Sequence, residues 1–266
     1  MIRAALALLV LSLLAACGSS EAPVAKPTPP PTATAAPLPP ASACYVLTYA
    51  QAVAPTADAT KTPVPCSKPH TSETFYVGAL SSVVGGHLVA VDSARIQRQS
   101  ARTCPARLSA YVGGSTDDLR LSMVRAVWFT PTVDESDTGA DWLRCDVIAV
   151  AGAERLASIT GSLKDSLAKG AGREAMCGTA APGEAGFDRV PCAQKHSWKA
   201  IRVVPFPGDD YPGETAVKAA GQGPCQAAGK DVASDPLTYR WSYEFPTQAQ
   251  WDNGQTYGLC WAPDPA

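Results

Sequence analysis

Val64-Pro65-Cys66-Ser67-Lys68-Pro69-His70 and Val190-Pro191-Cys192-Ala193-Gln194-Lys195-His196 are two versions of one phrase, Val-Pro-Cys with a His four positions after the Cys. Each phrase lies inside a set of four cysteines: Cys44, Cys66, Cys104 and Cys145, then Cys177, Cys192, Cys225 and Cys260. The first set is spaced by 22, 38 and 41 positions and the second by 15, 33 and 35, so the spacings shrink together, as in a duplicate with trimmed loops. Phe129-Thr130-Pro131-Thr132 answers to Phe245-Pro246-Thr247, each proline lying 14 positions before the last Cys of its set. Asp137, Gly139 and Trp142 then correspond to Asp252, Gly254 and Tyr257. Self-similarity on this scale reads as an internal repeat.

Within each half the pattern predicts strand, strand, helix, strand, strand. In the first, Cys44–Leu47 and Glu73–Val77 carry β-formers. A helix comes next, capped by Asp92, with Ile96, Ser100, Cys104, Leu108 and Tyr111 at helical spacing. Pro105 is expected to divide it into two shorter helices. Leu119–Phe129 and Trp142–Val150 close the unit as a strand pair. In the second half Ala200–Phe206 is a strand, Glu214–Ala220 a short helix and Tyr239–Phe245 a strand. Asp252-Asn253-Gly254 is a turn before a last strand through Cys260. The expected fold class is α+β: two similar, small, disulfide-stapled domains, each roughly ββαββ with an antiparallel sheet. Their boundaries are 44–150 and 173–266, with an inter-domain linker at 151–172.

Nine cysteines make an odd count. The odd one is Cys17, which ends a run of small and apolar residues from Ala4 to Ala16 behind Arg3. A short basic start and an apolar stretch of this length read as a secretory signal over 1–16. Its end, Leu14-Ala15-Ala16-Cys17, resembles the bacterial lipobox, which implies a diacylglycerol on the Cys17 thiol, a membrane partner held through that lipid, and a place on the outer face of the plasma membrane. Residues 17–43 are rich in Pro and Ala without periodicity, so they bury too little surface to offset ordering entropy and read as a tether. Outside the cell the other eight thiols are expected to be oxidised. Four cysteines per half allow three connectivities. Loop proximity favours Cys44–Cys66, Cys104–Cys145, Cys177–Cys192 and Cys225–Cys260.

Several of these pieces resemble the actinobacterial septum formation family of extracytoplasmic proteins. They are Cys66-Ser67-Lys68-Pro69-His70, Tyr211-Pro212-Gly213 with Cys225, and Trp251-Asp252-Asn253-Gly254 with Cys260. Leu156–Lys164 is also similar to the segment after the last Cys in that family. The first half lacks Tyr-Pro-Gly, and Lys195 stands where the first half has Pro69. The resemblance implies a link to division or wall processes and brings no established chemistry with it.

The chemistry legible in the residues is sparse. Lys and Arg number 22 against 24 Asp and Glu, a formal net charge of −2, which excludes a strongly basic nucleic-acid binder. No phosphate loop, dinucleotide fingerprint or nucleic-acid motif is present. His70 and His196 recur at one offset from a cysteine. They read as rings docked on the sheet end and bonded to a loop carbonyl, as a shared binding surface, or as half of a Cys-x₃-His zinc site. Oxidation of the thiols argues against zinc, so no metal or cofactor is expected. Trp142 and Trp251 join the two histidines as candidate binding residues, since exposed tryptophans suit glycan stacking or a protein partner. Arg95, Arg98, Arg102 and Arg107 mark one basic helical face. No nucleophile elbow appears and no thiol is left to activate, so no catalytic residue is assigned. The expected function is therefore that of a non-enzymatic surface lipoprotein which binds an envelope or divisome partner or a wall glycan. The alternative is a wall-modifying or metal-dependent enzyme using His70 or His196.

Overall fold

A computed structural model describes residues 37–57, 61–170 and 172–264, all within one compact unit. The 1–16 segment, Cys17 and the tether up to residue 36 lie outside the described residues. The first repeat runs β1 (Cys44–Tyr45), α1 (Tyr49–Ala52), β2 (Ser72–Ala79), β3 (Val83–Val84), β4 (His87–Leu88), α2 (Ala94–Val112), α3 (Thr116–Arg120), β5 (Val124–Phe129), α4 (Val133–Asp137) and β6 (Trp142–Ala149). The second runs β7 (Met176–Gly178), β8 (Arg189–Pro191), β9 (Trp198–Pro205), α5 (Glu214–Ala220), α6 (Gln222–Val232), β10 (Ser242–Glu244), α7 (Gln248–Asp252) and β11 (Tyr257–Pro263).

The duplication is carried by register as well as by sequence. One sheet has the order β1-β2-β6-β5 and the other β8-β7-β9-β11-β10, every pairing antiparallel. Apart from β8, added outside β7, the strands of each repeat stand first, second, fourth, third. Cys145 faces Tyr76 on one side and Trp128 on the other, and Cys260 likewise faces Arg202 and Tyr243. Both central pairs carry a bulge at the same place, opposite the last cysteine, leaving Phe75 in one sheet and Ile201 in the other unmatched. Thr132 with Glu135 and Thr247 with Gln250 close matching capping boxes on α4 and α7. Pro131 and Pro246 align in this register, whereas Phe129 and Phe245 fall one position apart. The fold is α+β, and the two ββαββ frames are built alike.

All eight paired cysteines join as expected: Cys44–Cys66, Cys104–Cys145, Cys177–Cys192 and Cys225–Cys260, over separations of 22, 41, 15 and 35 residues. In each repeat one bridge ties the first strand to the loop before the His, and the other ties the helix to the last strand. Helix α2 corrects the sequence reading twice. Ser93, not Asp92, supplies its cap by accepting from the Ile96 N–H, and Pro105 lies inside one continuous helix. Interior proline costs about 3 kcal/mol. Ile96, Ser100, Cys104, Leu108 and Val112 bury one face over the sheet, and the bridge from Cys104 to Cys145 pins the turn before the proline. Helix α6, which carries Cys225, was not legible because Gly221, Gly223, Pro224 and Gly229 break its pattern. At Gly221 the glycine is required by close approach, since a Cβ there would lie 2.1 Å from the Tyr243 ring.

Residues 156–168, within the 151–172 stretch read from the sequence as a linker, lie against the first repeat. Ile159 and His70 exchange two backbone hydrogen bonds, at 2.9 and 2.7 Å. The Glu73 carboxylate accepts from the Leu163 N–H and the Ser162 hydroxyl, at 2.8 and 2.6 Å. The repeats themselves are joined by backbone: the Met123 N–H donates to the Glu174 carbonyl and the Met176 N–H to the Leu121 carbonyl. Met123 then shares a buried cluster with Met176, Trp198, Leu259 and Trp261 from the second repeat.

Candidate binding groove between the repeats

The two histidines of the repeated phrase sit in equivalent places. Each is held by the bend after its disulfide, and the Nδ1 of each lies on the carbonyl two residues back, Lys68 at 2.8 Å for His70 and Gln194 at 2.7 Å for His196. A carbonyl only accepts, so Nδ1 carries the proton in both rings. His70 is 1% exposed and its Nε2 has no partner among the described residues. The Nε2 of His196 lies 3.7 Å from the Asp264 carboxylate. The sulfurs of Cys177 and Cys192 and a ring nitrogen of His196 lie within 4.8 Å of one another, a spacing that suits a metal. The two sulfurs are bonded to each other, however, which takes away two of the three ligands.

The tryptophans singled out as binding candidates are buried, each 5% exposed. Trp142 packs among Tyr45, Leu47, Ala52 and Phe129. Trp251 donates from Nε1 to the Asp209 carbonyl at 2.8 Å and stands edge-on to Tyr211, ring centres 5.6 Å apart. Tyr211 in turn donates to the Pro246 carbonyl. The Tyr-Pro-Gly and Trp-Asp-Asn-Gly pieces thus meet, and together they hold the loop before α5 against α7. His70, His196, Trp142 and Trp251 do not converge on one surface.

The first repeat also buries a charged network that sequence reasoning missed. Asp146 accepts from Arg144 at both oxygens, at 3.0 Å each, and from Ser72 and Thr74 at 2.7 and 2.8 Å. The Arg144 guanidinium lies over the rings of Tyr45 and Phe129, 4.3 Å from each centre. Burial pushes the Asp146 carboxyl up, and Arg144 with the two hydroxyls pulls against it. The equivalent register positions of the second repeat hold Trp198, Ala200, Leu259 and Trp261, an apolar core. This network is closed on itself and offers nothing to a ligand.

Together the repeats build a groove of about 730 Å³, a size that accommodates a small ligand. From the first repeat come α2, α3 and the edge strand β5; from the second come β8, the turn after α7 and the start of β11. Three arginines line it, Arg120, Arg125 and Arg189. Arg120 lies over the Tyr257 ring, 4.5 Å from its centre, and pairs at 3.5 Å with the exposed Asp117. Arg189 pairs with Glu244 at 2.6 Å. Arg125 has no carboxylate partner among the described residues; its Nη1 donates to the Ser122 and Val124 carbonyls at 2.8 and 2.7 Å. Burial pulls its guanidinium below the ordinary arginine range, and neighbouring Arg189 acts in the same direction, with Tyr257 opposing. It remains cationic at neutral pH. Trp128 and Tyr257 add ring surface. Gln250, Asn253 and Gln255 add amides, each of which spends only one group on the fold.

The sequence held one sign of this site, Trp128 among the six tryptophans. Arg125 was not singled out, because a lone Arg on a strand acquires meaning only when its missing partner is seen. Arg95, Arg98, Arg102 and Arg107 are all exposed on α2, and Arg107 also lies 3.9 Å over the Tyr76 ring.

A duplicated α+β unit with one pair of bridges per repeat is the architecture of a protein folded in an oxidising, extracytoplasmic compartment. Among the described residues, no helix is long and apolar enough to cross a membrane. A family model described as septum formation matches residues 41–260, and the chain belongs to that family. Comparison with curated proteins and with solved structures gives no match.

Proposed function

We propose that this chain is a non-catalytic envelope protein of septum formation, carried on a lipid at Cys17, which holds an acidic glycan of the cell wall in the groove between its repeats. The observation that carries the reading is Arg125, a largely buried guanidinium without a carboxylate partner among the described residues and beside a second cation. An anion in the groove relieves that arrangement. Charge-assisted bonds from guanidinium to carboxylate are about twice as strong as neutral ones. Rings and planar amides beside the cations suit sugar faces and hydroxyls. A non-catalytic role is supported by chemistry already spent: the thiols flanking both histidines are oxidised, and His70 is buried out of reach of a substrate. Membership in the septum formation family supports the division setting.

The test is calorimetric titration with soluble peptidoglycan fragments bearing muramic acid carboxylates, against neutral chitooligosaccharides. The acidic fragments should bind and the neutral ones should not, and Arg125→Ala should weaken binding at least about tenfold, the value of one charge-assisted bond. Equal binding by parent and Arg125→Ala would remove the groove from the account. Release of fragments from isolated peptidoglycan by the parent chain, abolished in His70→Ala/His196→Ala, would replace the binding role with an enzymatic one.

A further inference from the structure

A second surface, separate in its chemistry from the groove, is formed where the β3–β4 hairpin leaves the first repeat beside α2. Gly85 and Gly86, at φ +58° and +81°, make the tight two-residue turn that only left-handed backbone allows. The hairpin holds its apolar side chains outward: Val83 is 64% exposed, Val84 37% and Leu88 55%, and none of them joins a core. Its root is fixed. Leu80 and Val91 are buried with Ile96, the Val89 N–H donates to the Ser82 carbonyl, and the Ser81 N–H donates to the Gln99 side chain at 3.1 Å.

Gln99 places the hairpin on a particular face of α2. Arg95 lies one turn before Gln99 and Arg102 one turn after it, so both share its face, with Arg98 at its side. All three arginines are exposed, and none has a carboxylate partner among the described residues. The nearest acid in sequence is Asp92, ahead of the helix. An exposed apolar tip thus rises from a row of three unpaired guanidiniums.

We infer that the hairpin 83–88 and the Arg95, Arg98, Arg102 row dock on an anionic membrane surface, the tip entering the acyl boundary and the guanidiniums meeting lipid phosphates. Complementarity of charge chooses this occupant. Surface apolar groups gain from any apolar cover, but a row of like cations beside them fits a layer that offers an apolar interior and a dense anionic rim together. Guanidinium and phosphate pair through two parallel hydrogen bonds, which arginine makes and lysine does not. The inference does not rest on the groove.

Vesicle sedimentation tests it with the full chain carrying Cys17→Ser, so that no lipid is attached. Phosphatidylcholine vesicles containing phosphatidylglycerol should be bound, with affinity falling steeply as salt rises. At roughly fivefold for each guanidinium near an anionic surface, Arg95→Gln/Arg98→Gln/Arg102→Gln should lower partition about a hundredfold. Val83→Ser/Leu88→Ser should lower it as well. All five positions are exposed, and an unchanged melting temperature confirms that each variant folds. Equal partition of parent and variants overturns the inference, because attraction would then come from elsewhere in the chain, such as the apolar 4–16 run. So does failure of the parent to bind, or binding equal on phosphatidylcholine alone.

Discussion

Tyr111 shows how one residue's chemistry is set by what duplication left around it. Its phenol donates to Glu73 at 2.8 Å, lies 3.3 Å from the Ser162 hydroxyl, and its ring rests 5.4 Å from Phe75. Burial, first of all, raises its pKa to about 12 from 10.0, with Ser162 opposing and Glu73 assisting. Tyr243, partly buried over Gly221 and Gly258, is likewise raised by that burial to about 12. A phenol whose folded pKa is raised keeps a proton that the unfolded chain has lost, so its contribution is complete below pH 10 and is lost as pH rises toward 12. Urea unfolding repeated across that alkaline window should show stability declining, and Tyr111→Phe should flatten the decline. An unchanged slope in the variant would show that Tyr111 titrates alike in both states. At this scale the sequence was half legible. Tyr111 was placed on the buried helical face by spacing, but Glu73 and Ser162 reach it from distant positions.

At the scale of elements, β2 and β6 solve with charge what β9 and β11 solve with apolar bulk. Ser72, Thr74, Arg144 and Asp146 occupy the register positions of Trp198, Ala200, Leu259 and Trp261. A buried ion pair is a poor net stabiliser, yet a broken one leaves an uncompensated charge. Arg144→Met or Asp146→Leu alone should each cost about 3–5 kcal/mol. The double variant should cost clearly less than the two together, as interacting pairs do. Denaturation midpoints decide it, and additive costs would mean that the pair is not coupled. A run of β-formers made β2 legible and β6 was read as one of a closing strand pair, while the polar content of their inner face did not announce a network. Helix α6 escaped because Gly221 at its cap and Gly229 within it admit the Tyr243 and Trp241 side chains, a packing requirement that imitates a helix breaker in sequence.

For the whole molecule, the notable feature is where the repeats meet. Met123 and Met176 lie in one buried cluster with the apolar core of the second repeat, and the segments 121–123 and 174–176 exchange backbone hydrogen bonds. Met176→Ala should cost about 2–5 kcal/mol as a large-to-small core change. Because the cluster belongs to both repeats, calorimetry should show a single unfolding transition in parent and variant; two transitions would mean that the repeats unfold independently. The groove too is lined by both repeats, and a site made by two repeats together cannot be read from either copy alone.

The linear order of residues was enough for the duplication and the α+β class, and it favoured, by loop proximity, the four bridges that the structure forms. Each rests on local or periodic information: cysteine spacing, runs of β-formers, helical spacing and the twice-written Val-Pro-Cys phrase. Packing in three dimensions was needed for the continuous helix through Pro105, the burial of His70, Trp142 and Trp251, and the missing carboxylate beside Arg125. Those depend on which distant side chains arrive within a few ångströms, and burial or the lack of a partner is a property of that arrival, not of the residue.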